Sequence, residues 1–458
     1  MELLGARGAH GGVSRVRTRR PGSRPLAIRL ARGAGAPELL AALIVGGAAI
    51  ALSGTLAFCA AEVVLLLVLA AWRLRAAVAA LMPLPALTVM MFHSLVPTVV
   101  AIVTVGFATL LEVIGGRARP SRSQLWIAAL AGALLISWLF PTVRLEQSGL
   151  PGQFLLMAGL GLLVLAIAMV AAPGPGVLLR AMAIVGVLAS LYALTRGDQY
   201  TGGRIGAMAL NPNYFGAYLT LPIVASLGLA WRRRNPLWLL AVAACVAGLV
   251  ATQSRGASLA VLAGVIFLVS QNRSRLWRTV ISVIVMAALA VSFNSFGTII
   301  DIGAGNRPAA ELIADTAIRS RVIGFLLDVI AAHPLRGIGF SQFAAYAAAA
   351  PGLGIYIAAT NEYLLLAAET GLLALVVLLV LLWCGIKPRR AGDMAVIRAV
   401  AFTYAIDMLF LDTLSTLVSI VPFWLCLGLL IGQTAGSEPP ASSRPGEQMG
   451  RVKLGVSG

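Results

Sequence analysis

Charged residues are scarce in this 458-residue chain: Asp, Glu, Lys and Arg make up 11% of it, whereas 59% is hydrophobic. Soluble globular proteins carry about 25% charged residues, so the composition excludes a soluble protein with a single membrane anchor. Many windows reach the roughly 20 apolar residues that a helix needs to span a bilayer. The sequence therefore predicts an all-α fold, a polytopic transmembrane helical bundle.

Acidic residues are the rarer charged class, with 17 Asp and Glu against 35 Lys and Arg and a formal net charge of +18. A surplus of this size can indicate binding to nucleic acid. Here, however, the basic residues stand in short clusters between apolar runs, as they do in the cytoplasmic loops of membrane proteins. We therefore expect membrane lipids as partners and no nucleic acid.

Cysteine and histidine are also rare, with four and three copies. The cysteines all lie in apolar runs without CxxC spacing, at positions 59, 245, 384 and 426. Disulfide frameworks and metal sites normally place cysteines at short, regular spacings. We therefore expect no disulfide, no metal site and no cofactor.

The chain divides into a membrane domain and two tails. Residues 1–37 are rich in Gly, Arg and Pro and predict a disordered, basic cytoplasmic tail, and residues 434–458 predict a second disordered tail. The membrane domain covers residues 38–433. Its candidate spans number about fourteen, or twelve to thirteen if the first four are divided differently, and lie near 38–53, 55–72, 76–91, 94–113, 125–140, 152–172, 177–194, 213–231, 236–251, 257–271, 277–295, 361–385, 395–411 and 415–433.

The basic clusters indicate how these spans are oriented. With the N-terminus inside, every dense cluster falls on one side, namely positions 73/75, 117/119/122, 232–234, 273/275/278 and 387/389/390. The opposite loops hold isolated arginines, and the one long loop, about residues 297–360, lies among them. Because cytoplasmic loops carry the excess of Lys and Arg, we expect both termini in the cytoplasm and the long loop outside the inner membrane.

The long outer loop contains a helical pattern from Ala310 to Ala332. Apolar residues recur there at helical spacing, at Leu312, Ile318, Val322, Phe325, Leu326 and Val329. His333-Pro334 ends the pattern, and the glycines of RGIGF predict a turn. We expect an amphipathic helix that lies on the bundle or at the external membrane interface.

Arg255 stands alone in a very short outer loop, within the stretch TQSRGASLAVLAG. An interfacial arginine that extends its side chain to the headgroups would explain it. The alternative is an anion-binding arginine at a helix N-terminus, where unpaired N–H groups also favour negative charge.

Arg204 lies in a second polar outer stretch, shortly before the sequence Asn-Pro-Asn at 211–213. That sequence predicts a turn and the start of a helix, and a capping role alone would explain Asn213. Arg204 is less readily explained by local structure and is a further candidate for binding an anion.

Arg319 and Arg321 both lie on the predicted loop helix, about 200° apart around its axis. Asp315 precedes Arg319 by four residues, the favourable order for a local ion pair. Arg321 has no carboxylate three or four residues away, which makes it the better candidate for an external anion. A solvated surface arginine is the alternative.

Two carboxylates share one face of the apolar stretch ATNEYLLLAAETGLLALVVLLVLLW. Glu362 and Glu369 are seven residues apart, about 10 Å along a helix axis. Glu362 follows Asn361 at the outer mouth, where a role in capping the helix N-terminus would explain it. Glu369 lies two turns deeper, where an acid is costly and usually faces a polar cavity or a partner. Asp407 and Asp412 raise the same question near the outer ends of later spans.

Isolated arginines and these carboxylates thus meet at one predicted surface. Arginine suits a diphosphate because its guanidinium group binds phosphate oxygens in pairs. A carboxylate suits proton abstraction from a sugar hydroxyl. The residues therefore predict an outer-face site for an anionic, lipid-linked substrate, and they leave a transferase and a transporter both open.

Four stretches follow one another in an order that one membrane protein family shares: RIGAMALNPNYFGAYL, TQSRGASLAVL, RSRVIGFLLDVIAAHPLRGIGFSQF and TNEYLLLAAETGLLAL. Through them, residues 200–385 resemble the O-antigen ligase and polymerase superfamily of bacterial envelope enzymes. The resemblance implies a metal-independent glycosyltransferase that moves a glycan from a polyprenyl-diphosphate carrier to a glycan, lipid or protein acceptor at the outer face of the inner membrane. A lipid-linked glycan transporter, or a non-catalytic partner of an envelope assembly complex, is the alternative.

The resemblance also implies roles for single residues. Arg255 matches the arginine of the family's Ser-Arg-Gly element, and Arg321 matches the arginine that begins the outer-loop helix. Asn361 and Glu369 match the Asn and the Glu-x-Gly of the last element. Ligases of this family usually carry a histidine, thought to be catalytic, immediately before that Asn; this chain has Thr360 there.

We therefore predict three catalytic residues. Arg255 and Arg321 would stabilise the diphosphate, and Glu362 would serve as the base because it is the titratable group nearest to Thr360. His333 is the alternative base, although a helix-ending turn would also explain it. The predicted substrate-binding residues are Arg204, Asn213, Arg319, His333, Asn361 and Glu369.

Overall fold

The fold is described from a computed structural model. It describes residues 55–116, 123–143, 151–271, 309–414 and 416–435, except 352, 355, 356, 358 and 389. The two predicted tails and the candidate spans 38–53 and 277–295 lie outside the described residues, so the total number of spans remains a prediction.

The first described half is helical apart from one small hairpin. Its helices are α1 (Thr55–Ala80), α2 (Leu84–Phe92), α3 (Val96–Ile114), α4 (Gln124–Leu139), α5 (Pro151–Ala171) and α6 (Pro175–Arg196). The hairpin follows α6 and pairs β1 (Asp198–Tyr200) antiparallel with β2 (Arg204–Gly206). A 3-10 turn at Thr201–Gly203 joins the two strands.

The second described half consists of helices and the connections between them. They are α7 (Pro212–Arg233), α8 (Leu237–Thr252), α9 (Arg255–Ser270), α10 (Ala309–Ala332), α11 (Phe343–Ala349), α12 (Glu362–Thr370), α13 (Leu372–Ile386), α14 (Asp393–Asp407) and α15 (Leu417–Ala435). The predicted loop helix is α10, which begins one residue before its predicted start.

Five of these helices are long and apolar enough to cross a membrane: Phe58–Ala80, Val96–Ile114, Gly152–Ala171, Pro175–Arg196 and Pro212–Arg233. Five shorter apolar helices accompany them, among them α8, α9 and α13. The all-α, polytopic membrane fold that the composition predicts is confirmed.

Two predicted spans differ from the helices. The predicted end of the span 55–72 coincides with a kink in α1, where Arg73 adopts φ −152° and ψ 91°. The span 76–91 is interrupted, because α1 ends at Ala80 and the short α2 begins at Leu84. The span 361–385 is two helices, because Gly371 adopts φ 88° and ψ 166° between α12 and α13. The second break lies within a long, mostly apolar stretch, so composition alone does not mark it.

Helix α7 is the centre of the bundle, packed against α6, α8, α9 and α14. Small residues allow the close approach that helix contacts in lipid require. A Cβ atom on Gly186 of α6 would lie 2.2 Å from Pro222 of α7, and one on Gly228 of α7 would lie 2.2 Å from Val396 of α14. These contacts fix the heights at which the neighbouring helices begin and end.

Helix α10 packs on α12 through the apolar face that its pattern predicts. Val322, Leu326 and Val329 are buried in a cluster that also contains Phe343 and Ala368. Phe325 packs at the edge of the same cluster, whereas Ile318, predicted on this face, is exposed. The side chain of Leu312 lies outside the described residues.

The turn after α10 is fastened to the break between α12 and α13 by backbone hydrogen bonds. Leu372 N donates to Pro334 O at 2.8 Å, and Ile338 N donates to Ala368 O at 2.9 Å. The contact is so close that a Cβ atom on Gly371 would lie 2.1 Å from Leu335 O. Glycine at 371 is therefore required both by its positive φ and by this contact.

We expect Gly371→Ala to lower the free energy of unfolding by roughly 1–3 kcal/mol, because alanine is strained at this φ and meets the Leu335 carbonyl. Gly324→Ala is the matched control, since Gly324 is helical and a Cβ atom there would meet nothing within 4 Å. That control should stabilise α10 by about 0.5–1 kcal/mol. Unfolding midpoints of the purified variants in detergent measure both, and equal midpoints would contradict the role given to Gly371.

Candidate functional site

Five of the predicted site residues lie at the end of the bundle where α7, α9 and α12 begin, namely Arg204, Asn213, Arg255, Asn361 and Glu362. Helix α7 starts with a side-chain cap: Asn211 Oδ1 accepts hydrogen bonds from Asn213 N at 3.0 Å and Tyr214 N at 3.2 Å. The cap is thus Asn211, which leaves the Asn213 side chain available for another contact.

That contact is with Arg204, which joins three segments of this end. Arg204 Nη2 donates to Asn213 Oδ1 at 2.5 Å, and its Nε donates to Thr252 O at 3.0 Å. Arg204 lies on β2, Asn213 at the start of α7 and Thr252 at the end of α8. The structure therefore brings Arg204 and Asn213 together, in a bond that also fixes the hairpin on the bundle.

Arg255 is the first residue of α9, and its side chain is exposed. The turn before it is tightly held, because Ser254 N donates to Thr252 Oγ1 at 3.1 Å and a Cβ atom on Gly216 of α7 would lie 2.7 Å from Ser254 Cβ. The residue after Arg255 packs on the loop between α14 and α15: a Cβ atom on Gly256 would lie 2.6 Å from Phe410 Cβ. Arg255 thus borders that loop.

The start of α12 holds the same loop, residues 408–416, from the other side. Glu362 is buried, and its Oε2 accepts hydrogen bonds from Thr413 N at 2.5 Å and Leu414 N at 2.9 Å. Its backbone N donates to Met408 O at 2.9 Å. The Glu362 carboxylate is therefore not exposed at a mouth, as its place at the helix start suggests, and instead binds two backbone N–H groups.

Asn361 serves both α12 and this loop. Its Oδ1 caps the helix by accepting a hydrogen bond from Leu364 N at 3.0 Å, and its Nδ2 donates to Leu409 O at 3.0 Å. An Asn at this position satisfies a free N–H of the helix and a carbonyl of the loop at once.

Asp412 in the same loop is a candidate site residue that the sequence prediction left out. The Tyr214 hydroxyl donates a hydrogen bond to Asp412 Oδ1. Burial raises the pKa of the Asp412 carboxyl to about 7, and the hydrogen bond from Tyr214 opposes that rise. In the sequence, the sign of a role for Asp412 is that an acid stands near the predicted outer end of a late span. Its contact with Tyr214 could not be predicted, because the two residues are 198 positions apart.

Glu369 is buried and fastens the outer loop rather than the loop at 408–416. Its Oε2 accepts a hydrogen bond from Ser341 N and its Oε1 one from Phe343 N, both at 2.9 Å. Its backbone carbonyl accepts further bonds from Gly339 N at 2.9 Å and Ser137 Oγ at 2.8 Å. The partner that an acid at this depth requires is therefore the backbone of the turn after α10.

The remaining predicted residues lie on or next to α10. Arg319 is half-buried and Arg321 is exposed. His333 is half-buried at the end of the helix, and its carbonyl accepts a hydrogen bond from Gly337 N at 3.0 Å. The side chain of Asp315 lies outside the described residues, so its ion pair with Arg319 remains a prediction. In the described ranges, no three His, Cys, Asp or Glu residues are grouped so that they could hold a metal ion.

The two glutamates of α12 should protect different backbone amides from exchange with solvent. Replacing one by Gln substitutes an amide group for a carboxylate that accepts two N–H groups, and a bond to a charged acceptor contributes about 1.5–3 kcal/mol. In Glu369→Gln we expect exchange at Ser341 and Phe343 to accelerate at least about tenfold, with Thr413 and Leu414 unchanged.

Glu362→Gln is the matched control, and it should give the reverse pattern. Hydrogen exchange followed by mass spectrometry on detergent-solubilised protein measures both segments. Exchange that rises equally in both segments in each variant would mean that the two carboxylates do not fasten separate loops.

Comparison with known proteins finds a family whose model matches part of this chain. Residues 239–379 match the family model described as O-antigen ligase. No curated protein matches the chain. The matched segment contains Arg255, Arg321, Glu362 and Glu369, and the loop at 408–416 follows it. The resemblance to the O-antigen ligase superfamily seen in the sequence is confirmed over this segment.

Proposed function

We propose that this protein transfers a glycan from a polyprenyl-diphosphate carrier to an acceptor at the outer face of the inner membrane, in envelope polysaccharide assembly. The observation that supports this most is the convergence of Arg255, the start of α12 and Asp412 around the loop at 408–416. Two of these three elements lie in the segment that matches O-antigen ligase. The domain responsible is residues 38–433, and the acceptor is a glycan, a lipid or a protein.

The arginines would stabilise the leaving group. In the transfer, an acceptor hydroxyl attacks the anomeric carbon, the bond from that carbon to the diphosphate oxygen breaks, and the diphosphate keeps the bonding electrons. Arg255 presents an exposed guanidinium group at the N-terminus of α9, where the helix dipole also favours an anion. Arg321, exposed on α10, would contribute the second cation, so that no metal ion is needed.

Asp412 is the carboxyl we favour as the base that takes the proton of the acceptor hydroxyl. A base works best when its pKa lies near the operating pH, and burial brings Asp412 to about 7. Glu362 is the base that the sequence predicts, but its Oε2 already accepts hydrogen bonds from two backbone N–H groups. Its carboxylate would position the loop that carries Asp412, whereas Arg204, Asn213, Arg319, His333, Asn361 and Glu369 would shape the substrate site.

A transporter of the same lipid-linked glycan, or a non-catalytic partner, is the other candidate. The absence of the family's histidine at Thr360 favours it. Only a transferase releases polyprenyl diphosphate, so the appearance of this product in lipid vesicles that contain the purified protein separates the two functions.

Removing either arginine should abolish transfer. We expect Arg255→Ala and Arg321→Ala to reduce turnover at least about 100-fold, because charge that develops on the diphosphate loses its stabilisation. Lysine should rescue poorly, since it lacks the planar fork of N–H donors. Arg196→Ala is the matched control, because Arg196 is an exposed arginine at the end of α6. Normal glycan product in both alanine variants would refute the anion site.

The pH profile should identify the base. Turnover should rise with pH through about 7, because only the ionised Asp412 carboxylate accepts a proton. Tyr214→Phe removes the hydrogen bond that lowers this pKa, so the rise should shift to higher pH. In Asp412→Asn, turnover should be much lower and should no longer rise with pH.

Three further variants control this assignment. Glu362→Gln should lower turnover strongly while the rise with pH and donor binding survive. His333→Ala and Thr360→Ala should act mildly. The assignment would be contradicted if Asp412→Asn kept the rise of turnover with pH. If Glu362→Gln or His333→Ala abolished that rise instead, Glu362 or His333 would be the base.

We also propose that both termini lie in the cytoplasm. The end of the bundle opposite the candidate site carries the ends of α7 and α13 and the start of α14, next to Arg232, Arg233 and Lys387. Reporter fusions after Arg234 and Arg390 should therefore be cytoplasmic, and a fusion near Pro351 should be external. A cytoplasmic reporter at Pro351 would place the candidate site on the wrong side for an external acceptor.

A further inference from the structure

A pocket lies at the end of the bundle opposite the candidate active site. It is formed where α6 and α14 begin and α7 ends, and its walls are Pro175, Arg232, Arg233, Ala391, Asp393 and Met394. None of these residues belongs to the stretches that resemble the O-antigen ligases, and the proposed transfer reaction does not use them.

The charge of this pocket is positive although it contains an acid. Asp393 accepts from both arginines: Arg232 Nε lies 3.3 Å from its Oδ1, and Arg233 Nη2 lies 3.1 Å from its Oδ2. The arginine side chains are 44% and 53% exposed, and each guanidinium group has five N–H donors. Two cations held by one carboxylate leave a net positive charge and unused donors directed outward.

Gly176, in the first turn of α6 and next to the wall residue Pro175, lies very close to these charges. A Cβ atom on Gly176 would lie 2.7 Å from Asp393 Oδ2 and 3.3 Å from Arg233 Nη2. Neither α6 nor α14 has a side-chain hydrogen bond at its N-cap. The pocket therefore combines two guanidinium groups with two helix starts that no side chain caps, and both features favour an anion.

The position of the pocket along the candidate membrane spans indicates which kind of anion can reach it. The candidate membrane spans Pro175–Arg196 and Pro212–Arg233 end at pocket residues Pro175 and Arg233. The end of a span lies at the level of lipid headgroups, and basic pockets between spans on the cytoplasmic side are suited to anionic headgroups. Arg234, exposed at the end of α7, adds to the positive potential there.

We propose that this pocket binds a phosphate group and that the headgroup of an anionic phospholipid in the adjacent leaflet supplies it. The phosphate oxygens would take the outward donors of Arg232 and Arg233. Asp393 holds the two side chains in place and at the same time competes with the phosphate for them. The bound lipid would thereby tie together the ends of α6, α7 and α14.

Because Asp393 both holds the arginines and competes with the phosphate, the arginine variant and the Asp393 variant should change lipid retention in opposite directions. In Arg232→Gln/Arg233→Gln, retention of phosphatidylglycerol by the full chain should fall by roughly 30-fold, because each of the two basic residues near an anionic surface contributes about 1 kcal/mol. In Asp393→Asn, which removes the competing negative charge, retention should rise. Arg75→Gln is the matched control, since Arg75 is exposed on α1 and lies outside the pocket.

Native mass spectrometry of the detergent-solubilised protein, titrated with phosphatidylglycerol and with phosphatidylcholine, measures retention. If the arginines and Asp393 only join helix ends, both the double variant and Asp393→Asn will be less stable and will retain phosphatidylglycerol as the wild type does, which would overturn the proposal. Inorganic phosphate is the third arm. Stabilisation by millimolar phosphate without preference for phosphatidylglycerol would overturn the assignment to a lipid.

Discussion

Burying a carboxylate in a membrane protein is costly unless hydrogen-bond donors replace the water it loses, and this cost organises the candidate site. Glu362 and Glu369 each meet it with two backbone N–H groups that come from distant parts of the chain. Because the two residues are seven apart on α12, they face the same side of that helix at two heights. One short helix therefore fastens the loop at 408–416 and the turn after α10.

In this arrangement, the residues that hold the loops in place differ from the residues that are suited to bind or react with a substrate. The groups whose geometry is most constrained, Glu362, Glu369 and Asn361, hold backbone atoms of loops. The groups suited to a substrate, Arg255, Arg321 and Asp412, lie on the elements around them. A site built from loops gains precision when its loops are tied to rigid helices, because the side chains they carry then keep fixed places.

Much of the fold could be predicted from the sequence because apolar length and helical spacing are local properties. The bounds of α10, the pairing of Glu362 with Glu369 on one face and the membrane class are examples. The contacts of those glutamates could not be predicted, since their partners at 341–343 and 413–414 are set by how the chain folds back. The break at Gly371 was missed for a related reason: the residue packs on the carbonyl of Leu335, which comes from the turn after α10 and is distant in sequence. Asp412 acquires its surroundings from Tyr214, nearly 200 residues earlier.

The shortness of α8 and α9 has a consequence for the membrane around the site. Each has 16 residues, which rise about 24 Å, whereas the hydrocarbon core of a bilayer is about 30 Å thick. The turn between them meets α7 at Gly216, one helical turn inside its start. Such a hydrophobic mismatch would be met by thinning of the bilayer or by a position of Arg255 below the headgroup level. In either case the lipid-linked diphosphate that we propose as donor would meet the arginine at the depth where its own tail holds it, without being drawn out into water.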